Sequence, residues 1–320
     1  MNVRFAAIAA VAVLLAAGGA VAASKLRLSI ATGGTGGVYY PYGGGLARVL
    51  TQKVAGFQVT AEVTGGSVDN IKLVTAGDAD IGMSTIDSAV DGVKGLGAYT
   101  DTGPQKIATI AVLYDSFVHI VARADAKITK VSDMKGKRVS VGSAGSSTEA
   151  IADRMLEAGG LNPMKDVTRD NLSVAESVGA LKDGKIHAMF WIGGLPTSAI
   201  TDLVTTGNVK IVFVPASDVL AKLNVKYPGL YRAFTLPKAI YADVPKDVPG
   251  VGVSNIMFVG ADMKADTVTK ILKGVFDNLA EVKKIHPEAK TLTLAGAAAK
   301  TAVPFHPAAL AFYKARGVVK

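Results

Sequence analysis

The amino-acid sequence predicts an α/β fold with two similar lobes. Short apolar, strand-like segments alternate with helix-like segments, a pattern typical of parallel sheets covered by helices on both faces. One strand–loop–helix unit occurs at residues 26–50 and again at residues 137–158. A length of 320 residues favours two domains, and a hydrophobic content of 49% is sufficient for packed cores. We therefore expect two α/β lobes of related design.

The first unit begins with a short, mostly apolar strand at residues 26–31. The strand runs into the glycine-rich loop 32–37, and a helix-like stretch follows over residues 38–50. Further along, the turn 76–80 leads into another short apolar strand at residues 81–84. This alternation is the first half of the predicted α/β pattern.

The second unit repeats the same order. A strand at residues 137–141 leads into the Gly/Ser-rich loop 142–148, and a helix follows over residues 149–158. Its apolar residues fall on one side, and a pair of glycines ends it. A turn at residues 182–187 then leads into the strand 188–192, as in the first unit.

Two long extended segments, residues 107–122 and 251–259, are expected to link the lobes. A late helix over residues 265–285 carries one apolar stripe and should pack on a lobe, and a last helix begins near Pro307 and stops before Gly317. The predicted division is a first lobe of residues 24–117 with 250–320 and a second lobe of residues 118–249.

Residues 1–23 predict a secretory signal peptide. Arg4 is the only charged residue before Lys25, and an apolar stretch is followed by small residues that end in Ala-Val-Ala-Ala. The alternative is an N-terminal membrane anchor, because the run 5–23 approaches the roughly 20 residues that a span needs. The cleavage-type ending favours removal, so we expect a soluble periplasmic protein that begins at about Ser24.

Composition and motifs exclude several functions. The chain has no cysteine, so it has neither a disulfide nor a cysteine-ligated metal. Its net charge of +9 is spread out rather than clustered, which argues against nucleic-acid binding. The phosphate-loop and G-x-S-x-G patterns are absent, and the four histidines lack ligand-like spacing. We therefore predict no catalytic residue, metal or cofactor.

The loops after the predicted strands indicate a binding site. In open α/β sheets, ligands bind beyond the carboxyl ends of the strands. Those loops contain neither Lys nor Arg, although the chain has 35 of them, and they span residues 32–39, 64–70, 84–88, 142–148 and 191–196. Glycines allow close backbone approach, and helix N-termini favour anions. The residues thus predict a small anion held by neutral donors, with hydroxyls from Thr35, Ser67, Ser143, Ser146 and Thr148.

Some roles stay open at this point. Of Tyr39 and Tyr40, one ring should face the ligand and the other the core. Trp191 stands at a strand end, where it either lines the cleft or is buried in its lobe. Asp69 and Asp87 either bind a ligand ammonium or cap the helix that follows each loop.

The loop sequences resemble those of a known family. The segment IATGGTGGVYYP at residues 30–41 resembles the opening of the TAXI solute-binding proteins of TRAP (tripartite ATP-independent periplasmic) transporters. The likeness continues through TGGSVDN at 64–70, DMKGKRVSVGS at 133–143, SSTE at 146–149, GGLPT at 193–197 and VPFHP at 303–307. One departure concerns the third strand end, where the family often has a glutamine two places before an aspartate. Asp87 matches that aspartate, but Thr85 replaces the glutamine.

The resemblance implies a two-lobe periplasmic binding protein fold of type II, in which each lobe is a parallel or mixed sheet flanked by helices. The ligand cleft lies between the lobes. It also implies capture of a small carboxylate (a dicarboxylate, a 2-oxo acid or an acidic amino acid such as glutamate) and delivery to an ion-gradient-driven TRAP permease. The alternatives are a periplasmic sensor or antigen module without a permease, and an enzyme. The ligand contacts expected by position are Thr35, Gly36, Tyr39, Gly66, Ser67, Ser84, Asp87, Ser143, Ser146, Thr148 and Gly194.

Overall fold

The computed structural model of this protein describes residues 25–319 except Gly207 and Asp243. The predicted signal peptide, residues 1–23, lies outside the described residues. Within the described part, no helix has the length and apolar character needed to cross a membrane.

The described residues form one mixed sheet with the strand order β2-β1-β3-β10-β4-β7-β5-β6, in which β8 also pairs with β4 and β9 with β10. The strands are β1 (Leu26–Ala31), β2 (Phe57–Glu62), β3 (Ile81–Thr85), β4 (Ile107–Arg123), β5 (Arg138–Ser140), β6 (Thr168–Asp170), β7 (Ala188–Gly193), β8 (Ile211–Phe213), β9 (Tyr231–Leu236) and β10 (Val248–Gly260).

Each end of this sheet is parallel, and its middle is antiparallel. Strand β1 pairs in parallel with β2 and β3, and β5 pairs in parallel with β6 and β7. Between these groups run β4 and β10, which pair with each other in antiparallel orientation and reach into both ends of the sheet. The two linking segments predicted from the sequence are thus confirmed as the central strands.

Helices cover the faces of the sheet. They are α1 (Tyr39–Lys53), α2 (Ser67–Ala76), α3 (Ile86–Lys94), α4 (Ser147–Ala158), α5 (Val174–Lys182), α6 (Ser198–Thr206), α7 (Leu220–Lys226), α8 (Ala265–Phe276), α9 (Leu279–Val282), α10 (Leu294–Ala297) and α11 (Pro307–Ala315). We use "first lobe" for β1–β3 with α1–α3 and α8–α11, and "second lobe" for β5–β9 with α4–α7.

The spacing of apolar residues explains how the helices pack. Helix α1 buries Tyr42, Leu46, Val49 and Leu50, which recur at the three- and four-residue intervals that place side chains on one face. Fully burying an aliphatic side chain of this size contributes roughly 1.5–3 kcal/mol. This face joins the core of the first lobe, which also contains residues of α8 and α11.

The late helix differs from its prediction. The sequence predicts one helix over residues 265–285, whereas the structure has α8 and the short α9, separated near Asn278. The Asn278 backbone leaves the helical region, and its side-chain amide donates to the Gly274 carbonyl at 2.9 Å. This local hydrogen bond competes with the helical one, which is the usual reason that asparagine interrupts helices. The apolar stripe is buried nevertheless on both sides of the break.

Candidate functional site

A cavity of about 50 Å³ lies where the two lobes meet beside strand β4, with room for roughly four water molecules. Three sets of residues line it. The first lobe contributes the loops and first helical residues that lead into α1 and α2, and strand β4 contributes two side chains. The second lobe contributes the loop and first turn of α4 and the end of strand β7. In that order the lining residues are Gly33, Gly34, Gly37, Val38, Tyr39, Gly65, Gly66 and Ser67; Tyr114 and Ser116; and Ser143, Ser146, Ser147, Thr148, Trp191, Ile192 and Gly193.

Three helices begin at this cavity: α1 and α2 in the first lobe and α4 in the second. The first N–H groups of a helix have no acceptor within the helix, and the helix dipole adds partial positive charge there. Helices α1 and α2 have no side-chain cap, while Ser146 caps α4 by accepting from the Glu149 N–H at 3.2 Å. Three helix N-termini thus meet at a cavity whose lining includes no basic side chain among the described residues, while the first turns of α2 and α4 also carry Asp69 and Glu149.

Two glycines shape the lining. Gly66, which precedes α2, has φ +121° and ψ −148°, a conformation that is essentially restricted to glycine. At Gly37 a Cβ atom would lie 2.8 Å from the Trp191 ring, so glycine is needed for the indole to pack against this loop. Both positions let the backbone come close to the cavity.

The floor of the cavity is a buried hydrogen-bond network. The Tyr39 hydroxyl donates to the Asn255 Oδ1 at 2.5 Å. The Asn255 amide donates to the Tyr114 carbonyl and to the Ser116 Oγ, both at 2.9 Å. Burial raises the pKa of the Tyr39 hydroxyl far above its ordinary value, so it stays protonated and neutral. The floor thus presents fixed, uncharged groups.

A second network holds the Trp191 wall. The indole Nε1 donates to Thr197 Oγ1 at 2.9 Å, and the Thr197 N–H donates to the Tyr241 hydroxyl at 2.9 Å. Behind them, the His119 Nδ1 faces the Phe117 and Trp191 carbonyls, so Nδ1 carries the proton and Nε2 accepts from Tyr241 at 3.0 Å. Burial lowers the pKa of His119 to about 4, which keeps the ring neutral near pH 7.

The lobes contact each other around the cavity. The Gly36 carbonyl accepts from the Ser198 hydroxyl at 3.0 Å, and the Gly145 carbonyl accepts from the N–H groups of Val68 and Asp69 at 3.1 Å. On another side the Leu195 N–H donates to Glu288, a carboxyl whose pKa is raised by burial. These contacts bring the loops of both lobes onto one cavity.

The structure brings together part of the residue set expected from the sequence. Six expected contacts line the cavity: Tyr39, Gly66, Ser67, Ser143, Ser146 and Thr148. Four others lie outside the lining. Thr35 is exposed on its loop, the Ser84 hydroxyl is buried and donates to the Thr85 carbonyl at 2.9 Å, and Gly36 and Gly194 lie at contacts between the lobes.

Asp87 is the clearest correction. The sequence places it among the ligand contacts, but its fully buried carboxylate accepts from Arg154 Nη1 at 2.9 Å and from the Tyr231 hydroxyl at 2.7 Å. Arg154 also pairs with Asp91. The carboxylate already has its counter-charge, a guanidinium 67 positions away in the chain. Asp69, the other open aspartate, accepts from the Gly65 N–H at 3.1 Å and likewise does not line the cavity.

Tyr114 and Ser116 are lining residues that sequence reasoning missed. They lie in the middle of the 17-residue strand β4, not at a strand end, so a search of the loops passes over them. The one feature of the sequence that could have indicated these two residues is the expected role of residues 107–122 as a connection between the lobes. A strand that crosses from one lobe to the other passes beneath the cleft. Trp191, for which two placements were open, lines the cavity.

The mixed sheet, the two central strands and the interlobe cavity define a mixed α/β protein with the type II periplasmic-binding-protein fold. A solved structure from Bordetella bronchiseptica RB50 is similar at a TM-score of 0.54 and 18% identity, covering 93% of this chain and 90% of that one. The binding-protein component of an ABC phosphonate transporter from Pseudomonas aeruginosa is similar at a TM-score of 0.50 and 13% identity, covering 82% and 79%. By sequence, residues 30–317 match the NMT1-like family, and the chain belongs to that family.

Proposed function

We propose that this protein is an extracytoplasmic solute-binding protein, not an enzyme, and that it captures a small carboxylate by closure of its two lobes. The observation that carries the proposal is the convergence of three helix N-termini, one of them from the opposite lobe, on a cavity without charged side chains. A helix N-terminus stabilises an anion by about 0.3–1 kcal/mol when exposed and up to about 2 kcal/mol when partly buried.

Closure follows from the two-sided lining. A ligand that contacts Ser67 in the first lobe and Thr148 in the second binds more tightly when the lobes meet than when they are apart. Its differential affinity shifts the population toward the closed state. We propose that residues 24–117 with 250–320 form one moving body and residues 118–249 the other, with β4 and β10 crossing between them.

The candidate ligands are a dicarboxylate, a 2-oxo acid or an acidic amino acid such as glutamate, and the proposed partner is an ion-gradient-driven TRAP permease. The support for these finer assignments is the resemblance of the segments at residues 30–41, 64–70, 133–143 and 146–149 to the TAXI proteins. The same resemblance and the signal-like N-terminus support a periplasmic location. Four of the expected ligand contacts lie outside the cavity lining and stay candidates only for a different arrangement of the lobes: Thr35, Gly36, Ser84 and Gly194.

Ligand-stripped protein tests the ligand class. Thermal unfolding with a panel of carboxylates, phosphonates and amino acids should show a rise in Tm for a carboxylate. A ligand present at 100 times its Kd adds about 2.7 kcal/mol to the free energy of unfolding. Titration calorimetry should give one ligand per chain. Binding of phosphonates alone, or of nothing in the panel, would refute the carboxylate proposal.

Uptake tests the partner. Cells that express the chain together with a TRAP permease should accumulate the ligand, and accumulation should stop when the ion gradient is collapsed. Uptake that depends on ATP and survives collapse of the gradient would contradict the TRAP assignment. A chain that binds the same ligand and supports no uptake with any permease would be a sensor module.

A further inference from the structure

We infer that the ligand carries no ammonium group and that its tail is uncharged, so that a short 2-oxo or 2-hydroxy monocarboxylate fits the cavity and an amino acid does not. The inference rests on the proposed function and narrows its ligand class. It follows from which charges reach the cavity and which do not.

The carboxylates near the cavity all have partners outside it, although the Asp87 Oδ1 atom has no hydrogen-bond partner among the described residues. Asp87 is paired with Arg154, and Asp69 accepts from the loop N–H of Gly65. Glu149 accepts from Asn171 at 2.8 Å and pairs with Arg169 at 3.2 Å, while Glu288 accepts from Leu195. None of them lines the cavity. An ammonium group would therefore lose its hydration without gaining a counter-charge, which is strongly unfavourable.

The backbone reinforces this selection. Three helices begin at the cavity, and the partial positive charge at a helix N-terminus disfavours a cation beside it. Two of the loop carbonyls in the lining also accept hydrogen bonds from their own loops. The Gly34 carbonyl accepts from the Gly37 N–H at 3.0 Å. The Ser143 carbonyl accepts from the Ser146 N–H at 3.2 Å and from the Ser146 hydroxyl at 2.6 Å.

The rest of the lining suits an uncharged tail. The wall and floor include the indole of Trp191, the buried ring of Tyr114 and the buried side chains of Val38 and Ile192. Among the described residues, neither a basic nor an acidic side chain lines the cavity with them. With about 50 Å³ between the lobes, the cavity favours a compact molecule over a long one with charge at both ends.

Matched ligand pairs test the inference directly. Calorimetry on ligand-stripped protein compares pyruvate with alanine, 2-oxoglutarate with glutamate, and 2-oxobutyrate with 2-oxoglutarate. We expect the 2-oxo acid of each of the first two pairs to bind at least tenfold more tightly than its amino acid, and 2-oxobutyrate to bind more tightly than 2-oxoglutarate. An amino acid that binds as tightly as its 2-oxo acid, or tighter binding of 2-oxoglutarate, overturns the inference and leaves the carboxylate proposal intact. If no carboxylate binds, the proposed function itself fails.

A pair of variants adds a test within the protein. Ser143→Asp introduces a carboxylate into the lining, and Ala144→Asp introduces the same charge at an exposed neighbour outside it. We expect Ser143→Asp to weaken the binding of a 2-oxo acid at least tenfold and that of the matching amino acid by a smaller factor. Ala144→Asp should leave the affinity for both ligands unchanged. An equal loss for both ligand types in Ser143→Asp would contradict the inference.

Discussion

Breaking the buried charge network between α3 and α4 should strongly destabilise the protein, and Arg154→Met tests this expectation. Arg154 donates to Asp87 at 2.9 Å and to Tyr231 at 2.8 Å, pairs with Asp91, and its guanidinium lies 4.2 Å from the centre of the Tyr227 ring. Asp87 is 0% exposed and Arg154 only 9% exposed. Methionine would keep much of the volume and leave two carboxylates without their cation.

Removing one partner of a buried ion pair costs about 3–5 kcal/mol, because the remaining charge stays desolvated and unpaired. For a chain of this size that corresponds to a fall in Tm on the order of 10 °C. Urea unfolding, followed by circular dichroism and by the single tryptophan, measures the change in the free energy of unfolding.

The matched control is the double variant Asp87→Asn/Arg154→Met. Replacing both partners by neutral groups should recover part of the loss, since the buried carboxylate is gone. The loss in Arg154→Met should also shrink as the pH falls, because burial raises the pKa of Asp91 and protonation removes its unpaired charge. A change below about 1 kcal/mol in Arg154→Met, or no recovery in the double variant, would refute a buried network and return Asp87 to the candidate ligand contacts.

Three further perturbations follow from the site. Gly37→Ala should displace the Trp191 ring, change its fluorescence and weaken ligand binding. The control is Gly44→Ala on helix α1, where the added Cβ meets open space and binding should be preserved. Equal affinity in both variants would show that Gly37 is not needed for the packing of Trp191. Ser146→Ala should cost about 0.5–2 kcal/mol of stability through loss of the α4 cap and should also weaken binding; unchanged affinity would show that its hydroxyl serves only as a cap. Because the folded pKa of His119, about 4, lies below the ordinary histidine value of 6.5, the folded state binds fewer protons than the unfolded state in this pH range. Stability should therefore fall by about 3 kcal/mol as the pH drops from 6.5 through 4, and His119→Asn should flatten that part of the profile measured by pH-dependent urea unfolding.

Local pattern was enough to predict much of this protein. Strand β1 lies at the predicted residues 26–31, and the predicted helix 149–158 lies within α4, because strands and helices follow from apolar spacing and from the glycines that end them. The loops rich in glycine and hydroxyl groups follow from the sequence as well. Their lack of Lys and Arg predicts a site that relies on neutral donors, and the lining in the structure includes no basic side chain among the described residues.

Tertiary structure alone decided which of these groups meet. Asp87 follows a strand end as a ligand contact would, yet it pairs with Arg154 because helix α4 of the other lobe packs beside α3. Tyr114 and Ser116 reach the cavity from the middle of a strand because β4 crosses from one lobe to the other. Local spacing governs hydrogen bonds and faces within one element, whereas these contacts join residues far apart in the chain. They depend on how whole elements pack, and that information is distributed over the entire sequence.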